Sequence, residues 1–358
     1  MKRLVLVLSF FLLTLPSLAS AQDVDKTSFS DVYKKYNELI KAGDFENALE
    51  YAELSYELGK KQFDAKTEEM GALSFNLGLV NSRNYHDSAA REYLTEALRI
   101  MEANHGENAI QLLDVYMELG SLNAGTFKNG MAKSAFGKAL SIARDEYGDS
   151  SPIILDLEIE IANAYLSYNA RESQRHFKEA YELGKIIYPD DDYRTGYAAF
   201  SIGKIEVARQ KKVSAEKFFL EALRIYGKTP PPDKKLVMVA HTFLVELYSG
   251  WRKEEKATEH SLEIGKILGD VNIEGKQALY AVKPTYPSTS KEGYALFEFT
   301  VDNFGKVKDI NTIDFSDSVF IANSISALEQ WRFAPRVVDG IPVDTEGVKY
   351  QFIYRFPE

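Results

Sequence analysis

The sequence predicts a multidomain protein: an all-α right-handed solenoid of stacked helix pairs, then a small α+β domain in β-β-α-β order. Two observations carry this. Small residues recur about every 42 positions through most of the chain. After Gly269 the helical period gives way to alternation of apolar and polar residues.

The recurrence is read from six segments: "GDFENALEYAELS" (43–55), "SAAREYLTEALRI" (88–100), "GMAKSAFGKALSI" (130–142), "ESQRHFKEAYELG" (172–184), "VSAEKFFLEALRI" (213–225) and "EKATEHSLEIGKI" (255–267). Ser55, Ala97, Ala139, Ala180, Ala222 and Ile264 take equivalent places, at intervals of 42, 42, 41, 42 and 42. Ala48, Ala90, Ala132, Ala215 and Ala257 lie seven positions earlier, and Gly78, Gly120 and Gly203 nineteen earlier, on the preceding helix. Small side chains at these places let two antiparallel helices approach closely and let pairs stack. Polar loops such as "HGEN" (105–108) and "YGDSSP" (147–152) separate the pairs and keep the period. Six repeats over 28–268 are expected.

This pattern resembles the tetratricopeptide repeat in its 42-residue form, as in kinesin light chains. The resemblance implies a groove lined by the first helix of each pair that takes an extended peptide or a partner helix. The groove residues are expected at Phe75, Leu79, Met117, Ser121, Glu158, Phe200 and Lys204. The set lacks the Lys, Arg and Asn cluster that clamps a terminal carboxylate.

Residues 269–280 read as a linker and 281–358 as a second domain. "AVKPTYPSTSKEG" (281–293) is rich in turn formers. In "GYALFEFTVD", Ala295, Phe297, Phe299 and Val301 share a face. "NFG" (303–305) is a hairpin turn in which Gly305 is free to take positive φ. "KVKDINTI" returns as a strand, and "DSVFIANSISALEQW" (317–331) is an amphipathic helix capped by Ser316 or Asp317 and ended by Pro335. In "VKYQFIYRF" (348–356), Val348, Tyr350, Phe352, Tyr354 and Phe356 face one way, Lys349, Gln351 and Arg355 the other.

"YP" (286–287), "FTVDNFGKV" (299–307), "LEQWRFAP" (328–335) and "DGIPV" (339–343) together resemble the C-terminal domain of TonB, the energy transducer of Gram-negative outer-membrane uptake. The resemblance implies that a transporter's N-terminal segment adds as a strand to the sheet edge. The residues expected there are Tyr286, Pro287, Val348, Lys349, Tyr350, Gln351 and Phe352, with Gly305, Trp331, Phe333 and Pro335 structural. The alternative occupant of that edge is a second copy, giving a homodimer. Unlike TonB, this chain has repeats where a Pro-rich spacer would run.

Residues 1–21 read as a cleaved signal peptide: Lys2 and Arg3, the apolar stretch 4–15, and Ala19-Ser20-Ala21 before Gln22. A twelve-residue helix spans about 18 Å, short of a bilayer core of roughly 30 Å. The expected compartment is the periplasm of a Gram-negative bacterium. The formal net charge of −10 argues against nucleic acid as a partner, and the absence of cysteine excludes thiolate chemistry. The five histidines are scattered, and no nucleotide, hydrolase or metalloprotease motif occurs. The chain is therefore read as a non-enzyme without metal or cofactor. Its partners are expected to be proteins: an outer-membrane TonB-dependent receptor or components of the TonB complex. The other reading is a general periplasmic scaffold in envelope assembly, not coupled to transport.

Overall fold

The computed structural model describes residues 28–188, 192–228, 233–271, 277–287 and 292–355. The signal-peptide reading and Phe356 lie outside them. The chain divides into two units, Met1–Leu183 and Gly184–Glu358.

Among the described residues, twelve α-helices precede the sheet: α1 (Phe29–Ala42), α2 (Phe45–Gln62), α3 (Glu68–Arg83), α4 (Asp87–His105), α5 (Leu113–Gly125), α6 (Asn129–Tyr147), α7 (Pro152–Tyr165), α8 (Ala170–Ile187), α9 (Tyr193–Ala208), α10 (Lys212–Lys228), α11 (Lys234–Gly250) and α12 (Glu254–Leu268). They form six antiparallel pairs of tetratricopeptide type. The recurring small residues sit where the helices meet: Ala48, Ala90, Ala132, Ala215 and Ala257 are fully buried, as are Ala97, Ala139, Ala180 and Ala222. The repeat glycines are close-approach sites. A Cβ on Gly78, Gly120 or Gly203 would lie 2.8, 2.4 or 2.6 Å from the side chain of Leu94, Phe136 or Phe219 on the partner helix.

The turn inside each pair has its own period. Gly43, Tyr85, Phe127, Gln210 and Arg252 all have positive φ, at 76°, 61°, 59°, 59° and 57°. The following amide closes back five residues in each case: Asp44 N to Leu39 O at 3.0 Å, His86 N to Asn81 O at 2.9 Å, Lys128 N to Asn123 O at 2.8 Å, Lys211 N to Glu206 O at 2.8 Å, and Lys253 N to Tyr248 O at 2.9 Å. This is the Schellman closure, which satisfies the carbonyls left over at a helix end. A non-glycine side chain in that left-handed conformation costs about 1–2 kcal/mol. The fourth pair lacks the left-handed residue. Its turn closes four residues back instead, Asn169 N to Tyr165 O at 2.7 Å. The single residue missing from the fourth repeat is therefore this one.

That placement corrects the expected register of α7. The helix keeps the 42-residue offset from α5: Leu155, Ile161 and Ala162, all fully buried, follow Leu113, Leu119 and Gly120. Glu158 then corresponds to Tyr116, not Met117.

The C-terminal domain holds β1 (Gly293–Val301), β2 (Val307–Phe315), α13 (Ile321–Leu328), β3 (Arg336–Val338), β4 (Ile341–Val343) and β5 (Thr345–Tyr354). The main sheet is antiparallel in the order β2-β1-β5, and β3-β4 is a short hairpin inserted before β5. Ala295, Phe297, Phe299 and Val301 are buried under α13, together with Phe320, Leu328, Trp331, Phe333, Val348, Phe352 and Tyr354. Asp317 caps the helical segment, accepting from Val319 N. Pro335 does not end α13, as the sequence suggested. The helix stops at Leu328, because the next residues are drawn into bridges: Arg332 N donates to Tyr280 O at 2.9 Å and Phe333 N to Gly305 O at 2.9 Å.

Candidate partner-binding sites

The C-terminal site is built on β5. The strand is ten residues long and pairs only with β1 among the described residues, in the register Leu296↔Gln351, Phe297↔Tyr350, Glu298↔Lys349 and Phe299↔Val348. One side of its backbone is open, and that is the side to which another strand adds. Val348 and Phe352 are buried in the core, whereas Lys349 and Gln351 are exposed on the other face. Lys349 Nζ lies 3.5 Å from Glu298 across the ladder. Tyr350, on the apolar side of the strand, is covered only in part. Its ring contacts Trp331, centroids 4.6 Å apart, but 42% of the residue stays exposed at the core's margin. Tyr286 is half-buried with its ring 5.7 Å from that of Tyr354, and Pro287 is buried.

The corner residues hold this edge in place. Trp331 Nε1 donates to Val282 O at 2.9 Å, tying the 277–287 segment to the end of α13. Gly305 has φ 80°, and a Cβ there would lie 2.2 Å from the Phe333 carbonyl oxygen, so the turn and corner fit only with glycine. The Phe333 ring lies 5.9 Å from that of Phe299, tilted by 42°.

Three features escaped the sequence reading. Arg332, 4% exposed, pairs with Glu254 of α12, and burial lowers its pKa. Pro335 packs against Gly265, while Arg336 Nε bonds Asp270 at 2.5 Å and Val337 N bonds Gly269 O at 3.2 Å. The last repeat helix is thus part of the domain's packing. Third, the Tyr354 and Ser324 hydroxyls share a buried hydrogen bond of 2.7 Å, and both reach the Phe320 carbonyl, Ser324 Oγ at 2.7 Å and Tyr354 Oη at 3.4 Å. None of these has a local sequence signal, since each joins segments distant in the chain.

The expected groove residues divide. In the first unit, Phe75 and Ser121 are half-buried, but Leu79, Met117 and Glu158 are 6%, 4% and 2% exposed and taken up by packing. Glu158 sits beneath the groove because of the register just described, accepting from Arg144 at 3.2 Å and lying 2.6 Å from His176 Nδ1. In the second unit Phe200 is half-buried at 5.0 Å from Phe243, and exposed Lys204 lies over the Phe243 ring at 5.9 Å. The first unit also carries acids at matching positions of α5 and α7: Asp114 and Glu118, then Asp156 and Glu160. Arg83 engages Glu118 with both nitrogens, at 2.7 and 2.9 Å. Burial, then the charge of Glu118, pushes Asp114 up to about 6 and Glu160 up to about 7.

In the second unit His241 and His260 form a buried pair, Nδ1 to Nδ1 2.9 Å, with Tyr248 stacked on His260 at 5.5 Å. Burial lowers both to about 4. Among the described residues no group of three or more His, Asp or Glu could hold a metal ion, and no helix is long and apolar enough to cross a membrane.

Fold and sites together define an interaction protein: a tetratricopeptide-type array joined to a domain of the TonB C-terminal type. The family described as Gram-negative bacterial TonB protein C-terminal matches residues 282–356. No curated protein matches the chain. Solved structures similar to it include the nearly identical TPR-like repeats of a kinesin light chain from Podosopora anserina, at 14% identity over 57% of this chain and 97% of that one, TM-score 0.49. BtubC (BKLC) from P. vanneervenii is 17% identical over 55% of this chain and 78% of that one, TM-score 0.45. Pilf of Pseudomonas aeruginosa is 12% identical over 68% and 92%, TM-score 0.41. Both modules are of kinds that act through protein contacts.

Proposed function

We propose that this chain is a periplasmic interaction protein that serves TonB-dependent transport across the outer membrane. Its C-terminal domain receives a peptide strand on β5, from a receptor or a TonB-complex component, and its repeats hold a second protein. One observation carries the reading: β5 is a full-length edge strand whose open side is not paired among the described residues. Strand addition takes its affinity from main-chain hydrogen bonds and its selectivity from neighbouring side chains, here Tyr286, Tyr350 and the outward Lys349 and Gln351. Titrating labelled peptides from receptor N-termini into the chain, read by fluorescence anisotropy, tests it. Saturable binding that changes little in Lys349→Ala and Gln351→Ala is expected. Binding lost in either alanine variant would place the affinity in side chains and contradict strand addition.

A further inference from the structure

The turns inside the second, third and fourth repeats each end in an aromatic residue: Tyr85, Phe127 and Tyr168. These rings project. Tyr85 is 89% exposed and Phe127 69%, although both occupy a left-handed conformation that glycine or asparagine would fill more easily. Phe127 meets Tyr168 edge-on at 5.4 Å, and Met131 and Leu166, within four residues of them in sequence, are also exposed. Core packing accounts for none of these four.

The surroundings are cationic. Residues 125–136 contain Lys128 and Lys133 and no carboxylate, in a chain whose net charge is −10. Arg171 is exposed on the adjacent helix start, which meets α6 through Asn169 and Asn129 at 3.3 Å. Beside Arg171, Glu172 is engaged by Arg175 at 2.9 Å, and the acid next to the outlying Tyr85 is Asp87.

We propose that this face of the first unit docks on an anionic lipid surface. Projecting rings need a receiving surface that yields, as the headgroup boundary does, while lysine and arginine stems carry their charges to headgroup level. A second copy is disfavoured as occupant, because it would bring two cationic collars together. The inference is independent of the transport reading.

The test is vesicle co-sedimentation of the exported full chain. Vesicles of phosphatidylethanolamine with phosphatidylglycerol should retain it, phosphatidylcholine vesicles should not, and raised salt should release it. Lys128→Gln with Arg171→Gln should weaken binding roughly thirtyfold, about fivefold per charge. Phe127→Ser should weaken it about tenfold with unchanged circular dichroism, whereas Ile353→Ser, in the other unit, should leave it unaltered. No retention on anionic vesicles, or retention that ignores both salt and these variants, overturns the proposal. Self-association in sedimentation velocity that Phe127→Ser abolishes would assign the face to a second copy instead.

Discussion

Replacing Gly120 by alanine separates the close-packing role of the repeat glycines from their helix propensity. A methyl there would lie 2.4, 2.5 and 2.9 Å from three ring carbons of Phe136. Carbon atoms rest about 3.5–4.0 Å apart, so the ring must retreat by roughly 1 Å. It has little room to do so: Phe136 is 2% exposed and its other side meets Tyr165 at 5.4 Å. Overpacking of this kind costs about 1–3 kcal/mol, against about 1 kcal/mol gained because alanine favours a helix over glycine. Gly137, inside α6 of the same repeat, supplies the reference, since its Cβ would meet nothing within 4 Å. The propensity gain cancels between the two variants, leaving a difference of about 1–3 kcal/mol. Urea denaturation followed by far-UV circular dichroism should therefore move the midpoint up for Gly137→Ala and down, or not at all, for Gly120→Ala. Equal stabilisation by both substitutions would refute the account of how the helices pack.

Gly265→Ala would press a Cβ to 2.6 Å from the Pro335 carbonyl, a backbone atom; unfolding read by tryptophan fluorescence, with Trp251 and Trp331 the only tryptophans, should show a loss of about 1–3 kcal/mol. Ser324→Ala removes the 2.7 Å bond to the buried Tyr354 hydroxyl, leaving it only the Phe320 carbonyl at 3.4 Å, and should cost about 1 kcal/mol in the same assay. The two units should respond to pH in opposite senses. His241 and His260 fall from 6.5 to about 4 on folding, so the unfolded chain binds more protons in that window, and the second unit loses stability as pH falls from about 6.5 to about 4. Asp114 and Glu160 rise from 3.8 and 4.5 to about 6 and about 7, so the folded first unit binds more protons, and it loses stability as pH rises from about 4 to about 7. Unit-resolved hydrogen exchange across this range checks both slopes; His260→Gln should flatten the first and Glu160→Gln the second.

The repeat array was legible because its signal is redundant: the same small residue marks the same helix contact in unit after unit, and all of those positions are buried. What the period could not locate was the missing residue of the fourth repeat. Counted nineteen back from Ala180, the equivalent place on α7 falls at Ile161, which moves the gap ahead of α7; the absence of a left-handed residue between Tyr165 and Ala170 puts it in the turn instead. That count put Glu158 in the groove. In the C-terminal domain the strands and the turn at Gly305 follow from alternation and turn chemistry. The end of α13 does not, because it is set by Arg332 bridging to Tyr280, fifty-two positions away in sequence. Tyr350 shows the limit of alternation: it points to the core side, but the core ends before it is covered. The pairing of Arg332 with Glu254 was invisible for the same non-local reason.

Hydrogen exchange along Thr345–Tyr354, measured on the full chain with and without a peptide from an outer-membrane receptor N-terminus, tests the central claim most directly. Strand addition satisfies every second backbone amide of an edge strand, so exchange within β5 should slow on binding while β2, at the opposite edge, keeps its rate. Protection on β2 or in the repeats, with β5 unchanged by a peptide that binds, would contradict it.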